Sequence, residues 1–181
     1  HYHSSTRSEM LRLLPPDTHH LLDVGGGYGN FARVFMAERG GQATLLESNP
    51  HAAAVARDQG VDVLVGDFLS MAVTARFDAV ALLDVLEHLA EPLAALVKAR
   101  QVLRPGGVLL LSVPNMGHWS VVWDLLEGKF DYQPVGILCN THLRFFTRHG
   151  LESLIADAGF RVERWDDVSS PPPQTFADFL D

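Results

Sequence analysis

The stretch Leu21-Leu22-Asp23-Val24-Gly25-Gly26-Gly27-Tyr28-Gly29-Asn30 runs from an apolar segment into a glycine cluster and out into a helical pattern. His20–Val24 reads as a strand, Gly25–Asn30 as a tight turn, and Phe31–Arg39 as a helix with Phe31, Val34 and Phe35 on one side. Glycine lets a backbone adopt positive φ and approach a ligand closely. A strand-to-helix turn at the carboxyl edge of a parallel sheet is where open α/β folds bind nucleotides. This segment therefore decides both a fold class and a candidate site.

Outward from the turn, short apolar runs alternate with helical stretches. Ala43–Glu47, Val61–Val65, Phe77–Leu83 and Val108–Val113 read as further strands. Phe77–Leu83 is apolar throughout after Asp78, as expected of a strand covered on both faces. Helices are predicted over Ser8–Leu14, Ala52–Gln59 after the cap Asn49-Pro50, Leu93–Val102, Ser120–Glu127 and, behind the cap Thr147, Leu151–Ala158. Phe160–Trp165 reads as a sixth strand, and Pro171-Pro172-Pro173 onward as an extended tail. The pattern predicts one α/β domain over residues 1–181 with a mainly parallel sheet. Residues 115–146, long, aromatic and irregular, are expected to cap the acceptor side of the site.

Composition narrows the partners. The 181 residues are 47% hydrophobic and 20% charged, enough for a core without staples. A net charge of −8 repels polyphosphates, so no nucleic-acid partner is expected; Arg144 and Arg148 are the only candidates for a basic patch. One cysteine, Cys139, excludes an intrachain disulfide. The apolar runs are too short to span a bilayer and the first residues do not resemble a signal segment, so no membrane partner and a cytoplasmic location are expected.

The spacing of the turn discriminates between ligands. A dinucleotide fingerprint, Gly-x-Gly-x-x-Gly, would put its third glycine at Asn30. Asp-x-Gly-x-Gly-x-Gly stands here instead, with Asp23 two residues before the first glycine. An acid there suits an ammonium group better than a pyrophosphate, which favours S-adenosylmethionine over NAD. Glu47, ending the second strand, can accept from both ribose hydroxyls. Asp67, ending the third, can accept from the adenine amino group, with Phe68 stacking or offering its backbone N–H.

These residues resemble the class I methyltransferase family. Leu22-Asp23-Val24-Gly25-Gly26-Gly27-Tyr28-Gly29 is similar to its first motif, Glu47 to its ribose-binding acid and Gly66-Asp67-Phe68 to its adenine-side motif. Phe77–Val80 with Asp84-Val85-Leu86-Glu87-His88-Leu89 resembles its fourth-strand motif, and Leu103-Arg104-Pro105-Gly106-Gly107 the turn before its fifth strand. The resemblance implies a Rossmann-like sheet of six or seven strands and S-adenosylmethionine as cofactor, released as S-adenosylhomocysteine. The implied cofactor site is Asp23, Gly25, Gly27, Tyr28, Gly29, Glu47, Ser48, Asp67, Phe68, Asp84, Val85 and His88. Pro114-Asn115, Phe130-Asp131-Tyr132 and Thr141–Thr147 are similar to a bacterial branch near the ubiquinone O-methyltransferases and methionine-pathway methyltransferases. That branch implies a small hydroxylated acceptor, a sugar or secondary metabolite. The family's seventh, antiparallel strand has no counterpart in the chain's last residues, so a homodimer or an additional domain is expected to cover the sheet edge. A non-catalytic cofactor-binding scaffold and an NAD-dependent oxidoreductase are the competing readings.

Methyl transfer from a sulfonium is a direct displacement, so the protein's task is to align the partners and exclude water. A base is required when the acceptor is a hydroxyl, and histidine suits that role near neutral pH. His142 and His118 are the candidate bases, and His88 lies near the methionine end of the cofactor. Tyr2 and Arg7 are expected to fold over the cofactor as a lid. Trp119, Trp123, Phe130, Tyr132, Phe145 and Phe146 pack the cap or line an apolar acceptor pocket. No metal site is expected, since Asp84 and Glu87 have no third ligand nearby in sequence. The absence of an Asn-Pro-Pro-Tyr type of motif after the fourth strand points away from DNA.

Overall fold

The computed structural model describes residues 6–167. Tyr2 and the proline-rich tail from Pro171 lie outside them. Five parallel strands form one sheet: β1 (His20–Val24), β2 (Gln42–Glu47), β3 (Asp62–Val65), β4 (Phe77–Leu83) and β5 (Leu103–Ser112), in the order β3-β2-β1-β4-β5. The helices are α1 (Asn30–Arg39), α2 (Pro50–Asp58), α3 (Pro92–Val102), α4 (Trp119–Leu126) and α5 (Arg148–Asp157). Two 3-10 helices, Ser8–Leu13 and Leu86–His88, complete the elements. The order reverses between β1 and β4, so the crevice at the carboxyl ends of these strands is the topological switch point.

Side-chain alternation explains why these strands read as unbroken apolar runs. Leu22, Val24, Leu46, Val80 and Leu82 face α3 and α5, whereas Leu21, Leu45, Ala79 and Ala81 face α1 with Phe31 and Phe35. Both faces are covered, as a parallel sheet requires. The helices start where their caps were predicted. Asn49 Oδ1 accepts from the N–H groups of His51 and Ala52, and Thr147 Oγ1 from that of Gly150, which starts α5 at Arg148, one turn earlier than its apolar pattern suggested.

At the amino edge of the sheet, Phe77 pairs with Leu103 and Ala79 with Val108, so Arg104–Gly107 bulge out opposite Asp78. The Asp78 carboxylate accepts from the N–H groups of His19 (3.0 Å) and His20 (2.8 Å) and from Arg104 (2.6 Å), closing that edge. The predicted turn before the fifth strand is thus part of the strand itself.

The sixth strand predicted at Phe160–Trp165 does not form; among the described residues the sheet ends at β5. The segment is anchored elsewhere. Arg164 donates to the Arg12 carbonyl, Arg12 pairs with Asp166, and Arg148 stacks over the Trp165 ring at 4.7 Å. Val162 and Trp165 still pack on the core, across a cleft of about 2510 Å³ that Leu109, Leu111 and Val113 also line. Apolar alternation alone does not distinguish a paired strand from an extended segment packed beside a sheet.

Residues 116–145 leave and rejoin the body at one place. Asn115 and Phe146 form an isolated parallel bridge, with the Met116 N–H on the Phe146 carbonyl at 2.7 Å. Within this excursion α4 presents Leu125 and Leu126 to solvent and buries only Val121.

Phe35 and Ile155 test the two faces of the sheet. Phe35→Ala, which empties a fully buried site, is expected to cost about 3–5 kcal/mol, and Ile155→Val about 0.5–1.5 kcal/mol, in urea unfolding at constant m-value.

Candidate active site

The glycine turn begins where β1 ends. The Gly25 N–H reaches across to the Leu46 carbonyl at 2.8 Å, extending the ladder by one residue. Gly25, Gly27 and Gly29 all have positive φ, at 69°, 58° and 72°. Gly26 is required for a different reason: a Cβ there would lie 2.2 Å from Asp23 Oδ2. Asp23 is therefore tucked beneath the turn, 1% exposed, and accepts from the Ala32 N–H inside the first turn of α1. The helix has no side-chain cap of its own at Gly29, so the buried acid supplies one from below. Its Oδ2 has no hydrogen-bond partner. Burial pushes its pKa up to about 7, with repulsion from Glu47 adding and the Ala32 N–H opposing.

Glu47 binds the turn to the next element. Its Oε2 accepts from the Gly27 N–H (2.9 Å) and its Oε1 from the Asn49 N–H (2.8 Å), and the residue is 7% exposed. Ser48 beside it is exposed, and Tyr28 is half-buried with its ring edge-on to His51 at 6.5 Å. At the end of β3, Asp67 is exposed and turns its Oδ1 to the Ser70 N–H (2.9 Å). The Phe68 ring points into the core at 6% exposure, so it is not placed to stack on a ligand. Glu47, Asp67 and the glycine turn thus stand side by side at successive strand ends.

β4 ends in backbone strain. Asp84 sits at φ 55°, held by an ion pair with Arg7 and by the Ser112 hydroxyl at 2.7 Å. Arg7 thereby reaches the carboxyl end of β4. Val85 follows, its Cγ2 only 3.0 Å from where a Cβ on Gly25 would lie.

The 3-10 helix Leu86–His88 then meets the far end of the excursion. The Leu143 and Arg144 N–H groups both donate to the Glu87 carbonyl, at 2.7 and 3.0 Å. This brings His142 against His88, ring centroids 4.9 Å apart. Each imidazole turns Nδ1 to a backbone carbonyl: His88 to Thr141 (3.1 Å) and His142 to Ile137 (2.9 Å). A carbonyl only accepts, so Nδ1 carries the proton and Nε2 keeps its lone pair in both neutral rings. Burial lowers the His142 pKa, and neighbouring His88 lowers it further.

Glu87, 1% exposed, has neither carboxylate oxygen hydrogen-bonded, and burial raises its pKa to about 7. One potential ligand atom from each of Glu87, His88 and His142 lies within 4.8 Å of the others. The third partner that Glu87 lacked in sequence is thus supplied by the fold, and these are the residues that could hold a cation.

His118 is differently committed. Its Nδ1 accepts from the Ser120 N–H (3.3 Å) and lies 2.8 Å from the Ser120 hydroxyl, capping α4. Phe130, Tyr132 and Phe145 form a ring cluster beside His142, with Phe145 at 6.3 Å from it. Glu87 and Ser112 were not singled out as site residues from sequence. The signal was their place at the carboxyl ends of β4 and β5.

Residues 1–164 match the family described as Methyltransferase domain. The ubiquinone biosynthesis O-methyltransferase of Cereibacter sphaeroides is 31% identical over 170 residues, covering 87% of this chain and 67% of that protein. The tRNA 5-carboxymethoxyuridine methyltransferase of Escherichia coli is 32% identical over 138 residues, covering 71% and 52%. Among solved structures, the chain is similar to SAM-bound CalS10, an amino pentose methyltransferase from Micromonospora echinaspora involved in calicheamicin biosynthesis. That match has 32% identity and a TM-score of 0.51, covering 60% of this chain and 49% of that one. The chain therefore spans about two-thirds of the length of the ubiquinone-pathway relative and about half of the other two. With a glycine turn over a buried acid at the switch point and a family match over most of its length, the chain belongs to the methyltransferase-domain family.

Proposed function

We propose that the protein transfers the methyl group of S-adenosylmethionine to a hydroxyl oxygen of a small molecule, a sugar or secondary metabolite, with His142 as the base. The observation that carries this reading is the pairing of buried His142 with half-buried His88 beside the end of β4, both rings oriented by backbone carbonyls so that Nε2 is free to accept a proton.

The residues present fit the cofactor. The unpartnered Asp23 oxygen beneath the glycine turn suits an ammonium group above it, and the Glu47 carboxylate, already held by two N–H groups, suits a ribose diol. Bound there, S-adenosylmethionine supplies a methyl group on a sulfonium, activated for displacement. His142 Nε2 takes the acceptor's hydroxyl proton as the oxygen–methyl bond forms and the methyl–sulfur bond breaks, the electron pair returning to sulfur. Glu87, facing the two rings across less than 4.8 Å, stabilises the imidazolium that results. Residues 115–146 close over this group and exclude water. His118 is the poorer base, because its cap on α4 occupies the Nδ1 lone pair.

The small-molecule reading is supported by the two arginines that a nucleic acid would require. Arg144 donates to the Leu143 and Ala90 carbonyls, and Arg148 lies against Trp165 and Glu152. No helix among the described residues is long and apolar enough to cross a membrane. The family match and the interrupted dinucleotide spacing weigh against NAD chemistry, and the oriented histidine pair weighs against a purely non-catalytic scaffold.

Thermal-shift titration tests the cofactor. A hundredfold excess of S-adenosylhomocysteine over its Kd should stabilise the wild type by about 2.7 kcal/mol, and NAD should not. Glu47→Ala should abolish the shift; an unchanged affinity refutes the placement of the ribose. His142→Ala should keep S-adenosylhomocysteine affinity within about twofold while turnover falls about 10²–10⁴-fold. Equal turnover would remove His142 as the base.

The Asp23 pKa of about 7 adds a pH signature. An ammonium ligand favours the ionised acid, so affinity for S-adenosylhomocysteine should fall by about tenfold per unit as pH drops below 7 and level off above it. 5′-Methylthioadenosine, which has no ammonium group, should show no such slope. Parallel profiles for the two ligands would separate Asp23 from the amino group.

A further inference from the structure

The turn that follows β3 has an unusual anchor. β3 is the short outer strand of the sheet and among the described residues pairs only with β2, so the loop at its carboxyl end has sheet support on one side. Inside that loop the Met71 N–H donates to the Asp67 carbonyl (3.0 Å) and the Ser70 N–H to Asp67 Oδ1 (2.9 Å), so Asp67–Met71 is one compact turn. The Gly66 N–H on the Glu47 carbonyl (3.0 Å) and the Phe68 ring in the core fix where the turn starts, and leave the main chain of Leu69 and Met71 to be held from elsewhere.

Lys98, half-buried on α3, provides the placement. Its ammonium donates to the Leu69 carbonyl at 3.1 Å and to the Met71 carbonyl, and stands 5.3 Å from the centre of the Phe68 ring. A lysine within a helix normally carries its charge out to water. Here the charge is drawn back onto two main-chain acceptors and an aromatic face, interactions that offset its partial desolvation. α3 is itself fixed in the core by Ala95, Leu96, Ala99 and Val102. Lys98 therefore ties the Leu69–Met71 main chain of the β3 loop to a helix seated in the core.

We propose that Lys98 is a positioning residue for cofactor recognition: through Leu69 and Met71 it sets where the Asp67 carboxylate and the Phe68 main chain meet the adenine ring. The inference rests on the reading that adenine lies beside Asp67 and Phe68. Lys98 does not itself touch the ligand; it decides whether the 6-amino group finds its acceptor.

The test is a ratio of affinities. Wild-type protein should bind S-adenosylhomocysteine at least about tenfold more tightly than S-inosylhomocysteine, whose 6-oxo group cannot donate to Asp67. Lys98→Met should bring that ratio close to one, and Lys98→Arg, which can still donate to two carbonyls, should restore much of it. Ile155→Val is the control for general destabilisation and should keep the wild-type ratio. A Lys98→Met protein that remains folded and discriminates as the wild type does overturns the role of Lys98 alone. A wild-type ratio of one overturns the adenine placement and the Lys98 role with it.

Discussion

The Glu47 carboxylate is the constraint from which the rest of the site follows. One oxygen holds the Gly27 N–H and the other the Asn49 N–H, so the turn after β1 and the start of α2 share a single anchor. Without it the glycine cluster would be a loop with many conformations, since glycine restricts its own backbone least of all residues. Beneath the same turn lies Asp23, which caps α1 from a buried position and prevents any side chain at residue 26. Two acids, one lateral and one below, thus convert a flexible sequence into a turn of fixed shape.

The second half of the site is built on a different principle. No regular element places His142; it arrives through two N–H groups on the Glu87 carbonyl. Each ring is fixed by a backbone carbonyl, and the carboxyl group between them has no competing donor. Such a group responds to whatever cation or proton enters the cluster.

Much of this was legible in the residues themselves. Alternating burial made β1 to β5 readable as runs, and Asn49 and Thr147 marked helix starts through cap chemistry. The glycine turn and the place of Glu47 were legible because their spacing is local: turn, strand end, strand end. Phe160–Trp165 was not, since its apolar positions serve equally for a ladder or for packing beside one, and the anchors that decide the matter, Arg12 and Arg148, are remote in sequence. The Glu87–His142 encounter was hidden for the same reason. The different fates of His118 and His142 depend on which ring nitrogen faces a donor and which an acceptor, and a one-letter code contains no such information.

The bridge between Asn115 and Phe146 has an architectural meaning beyond its single pair of residues. Everything between them is an insert with a closed base, hung from the scaffold like a drawer from one rail. Its tip meets the cofactor half chiefly through the Glu87 carbonyl and the His88 ring. A segment attached in this way can exchange its lining wholesale while the glycine turn, Glu47 and the β3 loop stay as they are. A foreign insert grafted at that hinge would therefore leave the sheet and its strand-end turns unrebuilt.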